Sequence, residues 1–509
     1  MESINKLEVQ FRRAKGAGVP ILVIETVDQP KTTEQVIQMS EDRAVILWDI
    51  VRGIEGMNQQ GIEIVKKICK GEEPALVTGN PTEMLTKSFN MPDKTFLLMS
   101  NAHRVINDPT VSQGICNLRE QYKTRNSMII LLCPSIVLPS ELKQDVMIIE
   151  DSLPTLEQVT EVVKSVCEDN EIPLPEDISK ISDTLIGLSS FGSEQTLATC
   201  VYRKDDNTID IDRPALWERK RKAIEQTPGL SIWCGGETFS DIGGCENIKS
   251  FLANVFNGKE TPRSVVFVDE IEKALAGAAG DNSGVSQDQL GVILSYMQDK
   301  EVDGLIFIGP PGAAKSAIAK AAGNEANIPT VSLDLGAMKN ALVGKSGEQT
   351  RAALNVIEAI SQGRTLFIAT CNSIGVLPPE LRRRFTMGTF FFDLPTQDER
   401  ASIWGIYKKK YKVKDLPTVK NDAGWTGAEI KQCCKLASKL DITLELAATY
   451  IVPVSVSARE QIETLRSQAS GKFIDAAKPG LYIQRDLEQI VNAPKIGTRK
   501  IDLKDKNVN

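Results

Sequence analysis

Gly304-Leu305-Ile306-Phe307-Ile308-Gly309-Pro310-Pro311-Gly312-Ala313-Ala314-Lys315-Ser316 is the stretch whose reading decides the fold. An apolar run of strand length empties into a Gly/Pro turn that closes on Lys-Ser. Such a turn aims backbone N–H groups at phosphate oxygens, and the lysine adds a fixed positive charge. The serine hydroxyl can complete a Mg²⁺ shell, and the helix that follows offers its positive N-terminus. The spacing predicts a nucleoside-triphosphate site made of Gly309, Pro310, Pro311, Gly312, Ala313, Ala314, Lys315, Ser316 and Ala317. An ordinary strand-to-helix turn with a chance Lys-Ser is the alternative. The phosphate-loop pattern asks for glycine directly before the lysine, and this chain has Ala314. Alanine tolerates positive φ poorly, and its methyl crowds the approach to phosphate.

Composition sets the frame. With 509 residues the chain is long enough for several cores, and 41% apolar with 25% charged residues is ordinary for a soluble globular protein. The net charge of −7 and pI near 5.3 give no global electrostatic case for nucleic-acid or membrane binding. Neither a membrane-spanning run nor a signal pattern is visible, so a cytoplasmic protein is expected. The ten cysteines are scattered, mostly within apolar runs, and read as buried reduced thiols. His103 is the only histidine, which excludes histidine-built zinc sites and His-dependent acyl transfer.

A second motif stands upstream. Ser264-Val265-Val266-Phe267-Val268-Asp269-Glu270 reads as a buried strand ending in two acids. Beside a phosphate loop, the Asp orients Mg²⁺ and the Glu polarises the attacking water. The alternative is a strand whose first exposed residues happen to be acidic. In most such ATPases the phosphate loop comes first, whereas here Asp269 precedes Lys315. Physics permits this, because all catalytic loops of a parallel α/β sheet gather at the carboxyl ends of its strands. Leu290, Ile293, Leu294 and Met297, at helical spacing within residues 286–300, predict the crossover helix.

The alternation continues downstream. Ala317–Ala326 and Glu348–Ile360 read as helices, and Thr330–Leu335 and Thr365–Thr370 as strands, the last running into Cys371-Asn372. Asn372 could hold the attacking water or could merely form a turn. Leu377-Pro378-Pro379-Glu380-Leu381-Arg382-Arg383-Arg384-Phe385 places arginines just past the sheet. They suit a guanidinium that neutralises transition-state charge on a neighbouring subunit's nucleotide, or a solvated basic cluster.

These features, with Phe239–Gly244, Glu272-Lys273, Phe391–Pro395, Glu399-Arg400 and Trp425–Ile430, resemble AAA-type ATPases. The chain is similar to the family of cyanobacteria and chloroplasts known as hypothetical chloroplast reading frame 46, and to related bacteriophage proteins. The resemblance covers roughly residues 10–470 and is strongest over 239–432. It implies ATP and Mg²⁺ as ligands, Lys315 and Ser316 at phosphate and metal, and Asp269 as the metal-orienting acid. It further implies Glu270 as catalytic acid, Asn372 as γ-phosphate sensor, and Arg382 and Arg384 as finger arginines. Ile242 and Gly243 would lie over the adenine, with Gly427 and Ala428 closing from the lid. The pattern's glycine between the arginines is Arg383 here, and the acid after them is Thr386. Asn340–Gly344 resembles a central-pore loop but carries Leu342 where peptide-pulling members have an aromatic.

The front half echoes the back. Leu131–Leu142 repeats Ala369–Leu381 with one residue dropped, and Asp151-Ser152-Leu153-Pro154-Thr155 answers Asp393-Leu394-Pro395-Thr396. The first copy lacks the chemistry. Its strand Val19–Ile24 runs into Glu25-Thr26-Val27-Asp28, Phe96–Met99 ends in Ser100-Asn101, and no arginines follow Glu141-Leu142.

The expected fold class is α/β. It has two P-loop-NTPase-like parallel-sheet cores, the first degenerate and the second active and internally permuted, each followed by a helical lid. The expected boundaries are 1–175 for the degenerate core and 176–238 for its helical lid and linker. The AAA-type core is 239–395, its lid 396–470 with Trp404, Ile406, Leu436, Leu440 and Leu444 as core, and 471–509 a peripheral tail. Ala276–Ser286 reads as a flexible loop. The expected function is ATP hydrolysis that remodels a partner protein, by a homo-oligomeric ring whose arginine acts in trans. The phage resemblance would put the protein in host cytoplasm. A nucleotide-gated scaffold with little turnover and a DNA-replication or packaging motor are the alternatives, the latter disfavoured by the acidic charge.

Overall fold

A computed structural model describes residues 6–170, 172–203, 209–276, 285–340, 346–375, 377, 379–413 and 422–484. The chain divides into two compact units between Ala223 and Ile224.

The first unit is built on strands β1 (Ile21–Glu25), β2 (Ala44–Asp49), β3 (Gly53–Gly56), β4 (Thr95–Met99), β5 (Met128–Cys133) and β6 (Met147–Glu150). Their order in the sheet is β3-β2-β4-β5-β1-β6, parallel except for the β2–β3 hairpin. Alternate residues feed two cores, with Ile21, Val23, Leu97 and Met99 on one face and Leu22, Ile24, Phe96 and Leu98 on the other. Both faces are covered, which explains why the strands are continuous apolar runs rather than alternating ones. Helices Leu156–Asp169, Ile178–Leu185 and Ser190–Ala198 follow, burying Leu185, Leu188 and Leu197.

Residues 176–238, expected to be mainly helical, carry short strands beside the helices Ile178–Leu185, Ser190–Ala198 and Arg213–Glu225. They include the antiparallel hairpin β7 (Val201–Arg203) and β8 (Ile209–Ile211). They also include β9 (Leu230–Ile232), which is already the antiparallel edge of the second unit's sheet. Strands this short carry too few residues for a legible period-2 pattern.

The second sheet adds β10 (Ser264–Val268), β11 (Asp303–Ile308), β12 (Thr330–Leu333), β13 (Thr365–Cys371), β14 (Gly388–Phe391) and β15 (Ile474–Asp475), in the order β15-β14-β11-β13-β10-β12-β9. The layout repeats that of the first sheet, with β15 as an added edge strand. β14, β11, β13, β10 and β12 take the places of β6, β1, β5, β4 and β2, and β9 is the antiparallel edge as β3 is. The order of visits differs: β9 and β10 come before β11 and β12, whereas β3 and β4 follow β1 and β2. The helix Val285–Asp299, with Ile293 and Met297 buried, makes the crossover. Register puts Val268 of β10 beside Ala369 of β13, and Ile308 of β11 beside Cys371. The acid pair, the phosphate loop and Asn372 therefore leave the sheet along one edge.

Helices Gln397–Tyr411, Gly427–Leu440, Leu444–Ala448, Val454–Ser457 and Arg459–Ala469 form the lid around Ile403, Trp425, Ile430, Cys433 and Leu444. Trp404 and Leu436 pack against this core, but Leu440, expected inside, is 55% exposed at the end of its helix. Residues 471–484 are not a peripheral tail. β15 extends the sheet beside β14, and Ala476 and Tyr482 are buried. This segment reads as polar because only a few of its residues face inward. Most of the expected pore loop (341–344), most of the expected flexible loop (277–284) and the tail beyond 484 lie outside the described residues. All ten cysteines are free, and Cys234 is exposed rather than buried. No helix among the described residues is long and apolar enough to cross a membrane.

Candidate nucleotide site

The loop after β11 is shaped by close approach. A Cβ on Gly309 would lie 2.1 Å from the Phe392 carbonyl oxygen, so only glycine fits there. Gly312 takes φ +81°, a region open to glycine. Ala314 takes φ 69°, ψ 6°, the left-handed conformation that the missing glycine would hold without strain. The helix Lys315–Ala326 starts there.

Lys315 is buried, and its Nζ donates to the carbonyls of Gly309 (2.7 Å) and Pro310 (2.8 Å). Burial pulls its pKa down to about 8, against the opposing charges of Glu272, Asp269 and Glu270. Ser316 Oγ donates to Asp269 Oδ1 at 2.8 Å, and Thr370 Oγ1 donates to the same oxygen at 2.7 Å. Thr370 also accepts from the Glu270 N–H at 2.9 Å, holding Glu270 at φ 47°. Asn372 Nδ2 donates to Glu270 Oε1 (3.1 Å) and to Glu272 Oε1 (2.8 Å), and the Asn372 N–H reaches that same Glu272 oxygen. Lys273 pairs with Glu270. Ser316, Asp269, Glu270 and Asn372 thus belong to one hydrogen-bonded constellation.

They open into a cavity of about 320 Å³ between the sheet edge and the lid. Asp269, Glu270, Asn372 and the loop from Pro311 through Ala317 line it, with Ile242 and Gly243 on one side and Gly427 and Ala428 on the lid side. Gly309 and Pro310 do not line it; their carbonyls face Lys315 instead. Arg382 and Arg384 are not brought to it either. They sit on the helix Pro379–Arg384, where Arg384 Nη2 donates to Gln298 Oε1 at 2.5 Å and the buried Arg382 Nε has no partner among the described residues.

Several lining residues escaped sequence reasoning as site residues: Thr370, Glu399, Tyr407, Lys431, Ala476 and Ala477. Glu399 had a readable signal, since Thr396 and Glu399 form a capping box at the helix start. Its Oε1 also accepts from the Cys245 N–H at 3.3 Å. Tyr407 and Lys431 carry no motif; only the packing of their two helices aims them inward.

Ser316 and Asp269 form an oxygen pair that would suit Mg²⁺, a hard cation held through few protein oxygens with the rest from water and phosphate. Among the described residues no group of three or more His, Cys, Asp or Glu could hold a metal alone.

The strand, loop and helix around Lys315 are those of a phosphate-loop protein of the α/β class. Two family models match the chain: the N-terminal domain of SpoVK-like AAA ATPases over residues 7–150, and the ATPase family associated with various cellular activities (AAA) over 305–361. The chain is 24% identical to the uncharacterized AAA domain-containing protein ycf46 of Guillardia theta, over 92% of this chain and 96% of that one. It is 23% identical to the protein of the same name from Trieres chinensis, over 91% and 96%. A shorter similarity, 26% identity over 33% of this chain and 34% of the other, is to the ATP-dependent zinc metalloprotease FtsH of Karelsulcia muelleri (strain DMIN). Together these matches support assignment to the AAA-type ATPase family. They lend no support to the expected bacteriophage variant.

Proposed function

We propose that this chain hydrolyses ATP, with Mg²⁺, in the cavity of its second unit and uses the cycle to remodel a partner protein. The observation that carries the reading is the meeting of Ser316, Asp269, Glu270 and Asn372 at one sheet edge. Lys315 would exchange its two loop carbonyls for the β- and γ-phosphates, a charge-assisted exchange. Ser316 and Asp269 would hold Mg²⁺, which supplies neutralisation of phosphate charge when bound. Glu270 accepts a proton from water as that water attacks the γ-phosphorus. The bond to the β–γ bridging oxygen breaks, and ADP keeps the electron pair. Asn372 orients the water and Glu270 together. Replacing Glu270 by Gln tests the assignment: turnover should vanish while ATP still binds, and retained turnover would remove Glu270 from this role.

In this reading the second core is a permuted form of the first, with its acidic strand moved ahead of the phosphate loop. The strand order that the two sheets share, β15 apart, supports that. The first core is degenerate. At the end of β1, Asp151 Oδ2 accepts from Thr32 Oγ1 (2.6 Å) and Thr26 Oγ1 (3.2 Å), so a carboxylate stands where phosphate would need donors. Its lid is tied down by the Phe191 N–H to Asp28 Oδ2 at 3.1 Å and by Lys31 to Ser190. The chain assembles as a cytoplasmic ring in which Arg382 or Arg384 reaches a neighbour's nucleotide. That both stand away from their own cavity is compatible with action in trans.

A second reading, a nucleotide-gated scaffold, draws on the strained Ala314 and on Glu270 being engaged by Lys273 and Asn372. Single-turnover assays separate the two, since bound but unhydrolysed ATP supports the scaffold.

A further inference from the structure

The side of the cavity made by residues beyond the lid has no counterpart in the phosphate-loop chemistry. β15 and the turn after it are pinned to the sheet and to the helix Glu246–Phe256. Ala476 N–H donates to the Phe391 carbonyl at 3.0 Å, and the Ile248 N–H donates to the Ala476 carbonyl at 3.1 Å. Asn247 Nδ2 donates to the Asp475 carbonyl at 2.6 Å. Ala476 and Ala477 thereby line the cavity, as do Gly244 and Cys245 just ahead of that helix.

The same segment closes on itself around a buried charge cluster. Gly471 N–H donates to the Tyr482 carbonyl and Tyr482 N–H to the Phe473 carbonyl, each at 2.8 Å. Tyr482 donates its hydroxyl to Asp393 Oδ2 at 3.0 Å and accepts from Arg466 Nε at 3.1 Å. Arg466 also pairs with Asp393 at 2.9 Å, the two side chains being 0% and 4% exposed. Asp393 itself lines the cavity, and its Oδ1 accepts from the Leu394 N–H at 2.8 Å. A charge pair this dry persists only when its geometry is fixed by further hydrogen bonds, and the Tyr482 hydroxyl supplies one to each partner. The cluster joins the last lid helix, the end of β14 and residues 471–484 in one place.

We infer that residues 471–484 form the wall that receives the base and ribose of the nucleotide, with Arg466, Asp393 and Tyr482 as positioning residues that hold this wall against the cavity. The inference rests on the nucleotide reading of the cavity and adds a specificity element to it. The phosphate loop alone would bind any polyphosphate; the wall distinguishes a nucleotide from bare polyphosphate.

The test uses the full chain and two probes, ATP and inorganic tripolyphosphate, which carries the phosphates without base or ribose. Ala477→Phe narrows the cavity at the wall. We expect ATP affinity to fall about tenfold or more, in the range a misfit of one to a few methylenes produces, with tripolyphosphate affinity unchanged. Tyr482→Phe, which keeps the ring and removes the hydroxyl shared by Asp393 and Arg466, should lower ATP affinity about fivefold and again spare tripolyphosphate. Unchanged tripolyphosphate binding also shows that the core has folded. Equal loss for both probes, or no loss for ATP in either variant, overturns the inference. Wild-type protein that binds tripolyphosphate but not ATP would instead overturn the nucleotide reading on which it rests.

Discussion

Ser316 and Asp269, 47 residues apart in the chain with the acid first, share a hydrogen bond of 2.8 Å. Two strands of the sheet carry them there, with β13 between, and Thr370 of β13 bonds the same carboxylate oxygen. Asp269→Asn should therefore weaken Mg²⁺-dependent ATP binding more than Mg²⁺-free binding. Titration of labelled ATP with and without Mg²⁺ checks this, and an equal loss under both conditions would detach Asp269 from the metal.

Ala314 holds a left-handed backbone that costs an alanine about 1 kcal/mol relative to glycine. Ala314→Gly is expected to raise thermal stability by about that amount and to increase ATP affinity. Calorimetric unfolding and nucleotide titration measure both. A destabilised variant would show that the loop is not strained at this position.

The proposed trans role of Arg382 and Arg384 gives a mixing experiment. Arg382→Ala and Arg384→Ala together should lower turnover by about three orders of magnitude or more if they act on the transferring phosphate. Glu270→Gln should be inactive as well. Mixed, the two inactive proteins should regain activity, because a Glu270→Gln subunit can lend its arginines to a neighbour with an intact acid. Failure to complement would exclude shared sites.

Lys220, 3% exposed in the first unit, gives a pH signature. Burial lowers its pKa to about 8, below that of an unfolded lysine, and its ammonium donates a long hydrogen bond to the Asp183 carbonyl at 3.4 Å. Between about pH 8 and pH 10.5 the unfolded chain binds the proton more readily, so stability rises with pH across that window. The cost of the buried charge is fully present below pH 8. Lys220→Met should stabilise the unit at pH 7 and flatten this rise, measured by calorimetric unfolding of the full chain across pH. A variant that is no more stable at pH 7 would mean that the ammonium is not under strain.

The sequence made the strand–loop–helix at Lys315 legible, because three signals agree there: an apolar run, glycines at the turn, and Lys-Ser at the helix start. The acid strand was legible for the same reason, and so was the echo between the halves. Illegible were the parts that depend on one or two inward side chains. β9 has three residues and β15 has two, too few for a pattern, and Tyr482 sits in a polar stretch that gives no hint of a buried partner. Glu272 could be quoted from its motif, but its hold on Asn372 comes only from the register of β10 against β13. Leu440 was misread because it continues an apolar helical spacing past the point where the helix leaves its neighbours.

The interleaving of β10, β13 and β11 bears on how the molecule can be cut. A recombinant piece chosen from the recognisable phosphate-loop module, beginning just before Gly304, would retain Lys315 and Asn372 but leave out β10. One long side of β13 would then be bare between β11 and β12, a row of unpaired backbone groups flanked by apolar side chains. Such a piece should aggregate, and what remained soluble would lack the acid pair. Useful fragments of this unit begin ahead of Phe239 and run through Tyr482.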